Sequence, residues 1–228
     1  PARRHASAAL AAALLGLFVQ AKFNSVPLAA LALAAVFAGS LASPGPKPLP
    51  RRISLSIAVL CAAAVFVSGR IFLADLFQMR AVALMNDGRF DQALLRYRSS
   101  ARLNPVDTLY RNSWAGSAIA YAQGTKDPLL SIRLLEEAVR IGRETTAWRP
   151  ASATGHKILG VSLSLLSAHG GGDHLREAEE ALDRALNLDW TQPELLENRL
   201  KLARLRRDAP VEREVASRLD RLKSLSGD

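Results

Sequence analysis

The side chains of this sequence that most suggest chemistry lie in a short glycine-rich stretch. His169 and His174 flank three glycines, with Asp173 beside them, and imidazole and carboxylate groups are ligands that zinc accepts. A stretch this flexible does not preorganise a metal site, so we interpret it as a connection between helices. The single cysteine, Cys61, excludes a disulfide within the chain and a cysteine-based zinc site.

Motifs for other chemistry are absent from the sequence. It contains no Walker-type phosphate loop, no nucleophile elbow and no CxxC pair. We therefore predict no catalytic residue, no metal ligand and no cofactor in these 228 residues.

Charge divides the chain into two parts. All 21 acidic residues lie at or after Asp75, whereas residues 1–72 carry seven of the 30 Lys and Arg residues and no acid. Taking those seven away leaves 23 basic against 21 acidic residues in the rest of the chain. The excess positive charge thus lies beside apolar segments, and we expect no nucleic-acid partner.

Residues 1–72 have the composition of a transmembrane region. Three apolar runs without charged side chains are separated by an Asn-Ser-x-Pro break and by the proline-rich stretch 44–50. A helix needs roughly 20 apolar residues to cross the hydrocarbon core, and proline ends helices. We predict spans at about 6–22, 25–42 and 53–70, with membrane lipid as their partner.

The flanking charges predict the orientation. Arg3 and Arg4 precede the first run, and Lys47, Arg51 and Arg52 precede the third, so these ends are cytoplasmic by the positive-inside rule. The third span then delivers residues 73–228 to the periplasmic side of a bacterial inner membrane. Residues 3–21 also fit a secretory signal peptide, and this alternative places the same region outside the cytoplasm.

Residues 73–228 show helical periodicity interrupted by short breaks. The best preserved unit runs from Asn86 to Pro105 and resembles the tetratricopeptide repeat (TPR), whose unit is about 34 residues. Its matching positions are the turn glycine, the hairpin aromatic, the small contact residue, two buried positions and the helix-stopping proline: Gly88, Phe90, Ala93, Tyr97, Leu103 and Pro105. Two positions depart from the repeat, since Ser100 replaces the usual Ala and Arg80 the usual Leu.

Two weaker units and a cap follow. Trp114-Ala115 opens one unit, whose second helix has the packing positions Ser131, Leu135, Ala138 and Ile141. Leu159-Gly160 belongs to the other, whose second helix offers Ala178, Leu182, Ala185 and Leu188. Charged segments at about 193–207 and 210–225 have Leu at helical spacing, as a capping hairpin with a polar outer face does. The predicted fold is all-α: about three transmembrane helices followed by a TPR-like α-solenoid, residues 73–228.

Stacked hairpins of this type usually bind a peptide or a partner protein on their concave surface. By resemblance to the repeat, the first helix of each unit lines that surface. Gln78, Asn112 and Lys157 occupy corresponding positions there, and we predict them as the binding residues for a protein partner. The alternative is that they are ordinary solvated side chains.

The order of elements, together with the stretch GLFVQAKFNSV at residues 16–26, resembles the carboxyl-terminal end of bacterial O-antigen ligase and polymerase-like membrane proteins. The resemblance implies a glycosyltransferase that moves a glycan from an undecaprenyl-diphosphate carrier. The family's essential Arg and His residues would lie before Pro1, so none is carried over onto this sequence. The alternative function is a non-catalytic, membrane-anchored TPR scaffold.

Overall fold

The computed structural model describes residues 51–226, with side chains at 59, 62, 63 and from 66 to 224. Over this range the chain is all-α, as predicted, with eight helices and no strand. The helices are α1 (Arg51–Asn86), α2 (Phe90–Leu103), α3 (Thr108–Gly124), α4 (Pro128–Trp148), α5 (Ala153–Ala168), α6 (Leu175–Leu188), α7 (Pro193–Arg206) and α8 (Ala209–Ser226).

The chain divides into two compact units, up to Phe77 and from Gln78 onward. Within the range described, no helix combines the length and apolar character that crossing a bilayer requires. This finding gives the span predicted at 53–70 no support, and the spans predicted at 6–22 and 25–42 lie outside the described residues. The boundary predicted between 72 and 73 stays a prediction.

The first hairpin, α1 from residue 78 with α2, has the local features of the repeat. Gly88 has a φ of 72° in the turn, a conformation that glycine adopts without a Cβ penalty. Ala93 is fully buried and Tyr97 nearly so, and both pack with Ala81 of α1. The ring of Phe90 stacks on Tyr121 of α3, with centroids 4.8 Å apart, so the first hairpin is joined to the second.

The second hairpin, α3 with α4, begins each helix with an aspartate cap. Asp107 accepts a hydrogen bond from the Leu109 amide, and Asp127 accepts from the Leu129 amide, both at 2.9 Å; such caps satisfy amides that a helix start leaves unpaired. The four packing positions predicted for α4 are all buried, which confirms them: Ser131, Leu135, Ala138 and Ile141.

In the third hairpin, α5 with α6, the two helices pack closely where Gly160 of α5 faces Leu182 of α6. A Cβ added to Gly160 would lie 2.6 Å from Cγ of Leu182 and 3.1 Å from the Ala178 carbonyl oxygen, so only glycine permits this approach. Ala178, Leu182 and Ala185 are buried, as predicted. The prediction for Leu188 was wrong: it is 44% exposed, because it is the last residue of α6 and no further turn continues beyond it.

The last hairpin, α7 with α8, packs Val215 and Leu219 against Leu195 and Leu196. Its charged residues are not all on the outside. Arg199 of α7 is only 6% exposed, and its Nε donates to Asp183 of α6 at 2.7 Å. An arginine fork suits carboxylates in such buried pairs, so this ion pair attaches the cap to the third hairpin.

The hairpins stack in sequence order, and their helices form two layers. We call α1 from residue 78, α3, α5 and α7 the first-helix layer, and α2, α4, α6 and α8 the second-helix layer. In the first-helix layer α3 contacts α5 and α5 contacts α7, whereas in the described part of the chain no two second helices approach as closely along their backbones. Helices that are closer on one side make the array bend toward that side, so the first-helix layer is the inner one.

Candidate functional site

Each first helix presents a solvent-accessible stripe at helical spacing. On α3 this stripe comprises Asn112, Gly116, Ala120 and Gln123; on α5 it comprises Thr154, Lys157, Val161, Ser164 and Ala168; on α7 it comprises Glu194, Asn198, Lys201 and Leu205. Residues three or four apart lie on one side of a helix. We call the three stripes together with Gln78 of α1 the inner face. It is the candidate binding site.

The α1 end of the inner face holds two amide side chains. Nε2 of Gln78 donates to Oγ of Ser113 at 3.5 Å, a long contact that joins α1 to α3. Oε1 of Gln78 and Oδ1 of Asn112 are buried, and neither accepts a hydrogen bond from the described residues. An unpaired buried acceptor costs about 1–3 kcal/mol, so either amide would gain by rotating its oxygen toward the accessible side of its side chain and accepting a hydrogen bond from a partner, such as a peptide N–H.

Unpaired buried polar atoms also occur away from the inner face. Ser100, Thr145 and His156 each have one. Ser100 and Thr145 belong to second helices and are fully buried, so no ligand reaches them without opening the array. What distinguishes Gln78 and Asn112 is that their side chains are partly accessible while their oxygens lack a donor.

The centre of the inner face is charged. Nζ of Lys157 donates to Oε2 of Glu194 at 2.9 Å, which joins α5 to α7. This hydrogen bond and the positive charge lower the pKa of Glu194. Thr191 and Gln192 donate hydrogen bonds that lower the pKa of Asp189, and Lys157 contributes to the same shift. Lys157 is thus a cation beside two carboxylates, and it can exchange one of them for an acidic group of a partner.

The structure places all three predicted residues in the first-helix layer, but it does not gather them into one cluster. Gln78 contacts the residue that follows Asn112, whereas the contact of Lys157 is with the next hairpin. Sequence reasoning missed Ser113 and Glu194. The signal for Glu194 was available, since it stands in the first turn of the capping helix with a charge opposite to that of Lys157.

The second-helix layer is occupied by internal ion pairs. Nε and Nη2 of Arg140 donate to Glu137 at 2.8 Å, which lowers the pKa of that carboxyl, and Arg143 forms a two-pronged pair with Glu177. Arg98 and Arg140 also lie 5.8 and 5.7 Å from the ring centroid of Trp114, within the range of a cation–π interaction. The contact of Arg98 with Trp114 joins the first hairpin to the second, and the pair of Arg143 with Glu177 joins the second to the third.

The glycine-rich connection at residues 169–174 has the geometry of a turn. Gly170 and Gly172 have φ of 80° and 108°. The ring of His169 lies 2.8 Å from the carbonyl oxygen of Leu165 in α5, and the ring of His174 lies 3.3 Å from that of Gly171. Over the residues that the structure describes, no three potential metal-ligating side chains come together.

Comparison with solved structures supports the fold. The array resembles MamA, a TPR-like helical repeat protein: a double mutant of MamA from RS-1 matches with a TM-score of 0.50 at 17% identity, covering 86% of this chain and 96% of that chain. MamA 41-end from Desulfovibrio magneticus RS-1 also matches over 86% of this chain and over 94% of that chain, with a TM-score of 0.46 and 17% identity. No family model and no curated protein matches the chain. The likeness shows a TPR-like fold.

Proposed function

We propose that residues 78–228 form a non-catalytic interaction module that holds a protein partner along the inner face. Two features of the inner face carry the proposal. It has accessible stripes at helical spacing, and the buried amide oxygens of Gln78 and Asn112 lack a hydrogen-bond donor. A polypeptide supplies such donors from every non-proline residue of its backbone. On the second helices, by contrast, several exposed charged groups already pair with one another, as Arg140 does with Glu137 and Arg143 with Glu177.

The shape of the inner face supports the same function. Gly116 and Ala120 give α3 a floor of small residues, and a Cβ added to Gly116 would meet no atom within 4 Å. A partner's backbone can therefore approach α3 closely. Lys157 and Glu194 then offer one charge of each sign at the neighbouring stripes, which would select a partner by charge complementarity.

We also propose that the module is anchored to a membrane and faces the periplasm. Membrane anchorage through residues 1–72, and a periplasmic position of the array, follow from the sequence pattern alone and remain proposals. A topology reporter fused after Asp228 tests them, and reporter activity confined to the cytoplasm would contradict the periplasmic orientation. The glycan-ligase function likewise depends on the resemblance of residues 16–26, which lie outside the described range, and the fold favours the scaffold.

The module is tested by photo-crosslinking in the full chain inside the cell. A photoreactive phenylalanine analogue is placed singly at Ala120, Thr154 and Lys201 of the inner face, which are all exposed. The matched control positions are Arg133, Glu136 and Arg176, exposed residues of second helices. We expect the three inner-face positions to capture the same protein and the control positions to capture none of it.

Two results would contradict the proposal. One is capture of the same protein with equal yield from both layers, because binding would then not be located on the inner face. The other is capture of unrelated proteins at each inner-face position. Thermal unfolding of each labelled chain, followed by its helical circular dichroism signal, controls for misfolding.

A further inference from the structure

Arg80 belongs to the first repeat but lies outside the inner face. It replaces the leucine that the repeat usually has, and it is exposed on α1. Arg80, Arg89 and Arg96 line one groove between α1 and α2, of about 720 Å³. Three arginines and one carboxylate, Asp87, are thus among the residues that line it.

The charge of this region differs from that of the rest of the array. Residues 78–111 contain six Arg and three Asp, whereas residues 112–228 contain 17 basic and 17 acidic residues. The net charge of +3 in the array therefore comes from its first hairpin and the turn that follows. Guanidinium groups in such a cluster bind phosphate oxygens in a two-pronged geometry.

Apolar side chains are exposed in the same hairpin, and one of them lies in the groove. Met79 and Val82 of α1 are 69% and 46% exposed, and Leu95 of α2, which lines the groove, is 63% exposed. A terminal hairpin of a repeat array requires a polar outer face to remain soluble alone. The cap at α7–α8 has such a face, with a high proportion of charged residues, but the first hairpin combines positive charge with exposed apolar groups.

We propose that the groove lined by Arg80, Arg89 and Arg96 docks on the phosphate headgroups of an anionic phospholipid bilayer, with Leu95, which lines the same groove, at the hydrocarbon boundary. An exposed leucine among the arginines favours a bilayer over a free phosphate ion, since a bilayer offers hydrocarbon next to its phosphates. The inference rests on the proposed membrane anchorage. Residue 70 is the end of the third predicted span, and the covalent chain keeps residue 80 within about 35 Å of it in any conformation.

The test uses the full chain in phospholipid nanodiscs. A Cys61→Ser, Leu95→Cys chain carries an environment-sensitive fluorophore at residue 95, and lipids with a nitroxide headgroup quench it on contact. We expect quenching in discs that contain phosphatidylglycerol and little in discs of phosphatidylcholine alone. The same label at Leu129, which is 68% exposed in α4, should remain unquenched in both.

Charge-matched variants locate the contact. Arg80→Gln, Arg89→Gln and Arg96→Gln together should lower the equilibrium constant for docking on the bilayer on the order of 100-fold at low salt. Each arginine near an anionic surface contributes about fivefold, and the three factors multiply. Arg213→Gln, Arg218→Gln and Arg221→Gln in α8 remove the same total charge and should leave it unchanged. Equal circular dichroism spectra of the two triple variants control for folding.

The outcomes separate this inference from the anchorage on which it rests. Equal quenching in neutral discs, or equal loss in both triple variants, would overturn the docking site. Displacement of the contact by glycerol 3-phosphate, but not by sodium sulfate of equal ionic strength, would overturn the choice of a bilayer over a soluble phosphate. If the chain does not assemble into discs at all, the anchorage fails, and the same label is then read with vesicles added to the chain.

Discussion

The interior of the α3–α6 hairpins and the inner face share helices α3 and α5, but they have opposite requirements. The interior is a continuous apolar cluster in which Leu135, Leu163 and Leu182 are fully buried, and its close packing leaves no room for change. The inner face leaves polar atoms of Gln78 and Asn112 without a donor. The comparison indicates that stability and the proposed binding are separable, because on α3 and α5 they involve different sides of the helix.

The largest expected effect is on the interior. Leu182→Ala should lower the free energy of unfolding by about 2–5 kcal/mol, the cost of a cavity in a packed core. All three tryptophans lie in the array, so urea unfolding followed by their fluorescence measures it. A loss below about 1 kcal/mol would mean that the α5–α6 contact collapses around the cavity and is not rigidly packed.

The next effect compares a buried with an exposed ion pair. Arg199→Met should lower the free energy of unfolding by about 3 kcal/mol, near the low end for breaking a buried pair, because its partners Asp183 and Glu179 are 48% and 21% exposed and can partly regain water. Arg204→Met in the same helix is the control: its side chain is 60% exposed, and exposed pairs contribute less than about 1 kcal/mol. Equal losses would show that burial does not distinguish the two pairs.

Gly160 provides a sharper test of packing. Gly160→Ala should destabilise by about 1–2 kcal/mol, because the added methyl group overlaps Leu182 and the strain exceeds the gain in helix propensity. In a Leu182→Ala background the cost of the same change should fall, and what remains reflects the 3.1 Å approach of the added Cβ to the Ala178 carbonyl oxygen. Gly116→Ala is the matched control, since nothing lies within 4 Å of the added Cβ, and it should stabilise the array by about 0.5–1 kcal/mol.

The smallest effect concerns the inner face itself. Lys157 lowers the pKa of Glu194, so the pair stabilises the folded array above the usual glutamate pKa near 4.5, and this contribution is lost as the pH falls through the lowered value. Both groups are near water, so we expect less than about 0.5 kcal/mol. Carboxyl NMR titration should show the pKa of Glu194 rising in Lys157→Gln; an unchanged pKa would contradict the pairing.

Local features of the fold could be predicted from the sequence, and long-range partnerships could not. Gly88, Ala93 and the packing positions of α4 were correct because a turn or a small residue has the same role in every repeat. The exposure of Leu188 depends on where α6 ends, which depends on a boundary that sequence patterns locate poorly. Arg199 was expected on a polar face, but it pairs with Asp183, 16 residues away on another helix.

The same distinction applies to the candidate site. The positions of Gln78, Asn112 and Lys157 in the first helices of the predicted repeats were enough to place them in the first-helix layer, and their role in binding stays a prediction. Their individual environments were not predictable, because the contact of Lys157 with Glu194 spans 37 residues and the unpaired oxygens result from packing between hairpins.

The central claim is that the inner face binds the partner, and an affinity measurement tests it most directly. Binding of the crosslinked partner is compared for the full chain carrying Gln78→Ala, Asn112→Ala and Lys157→Ala and for a chain carrying Arg133→Ala, Glu136→Ala and Arg176→Ala in the second-helix layer. We predict that the first set weakens binding on the order of 100-fold, as loss of several hydrogen bonds and one charge implies, and that the second set has no effect. Equal affinities for both variants would contradict the account.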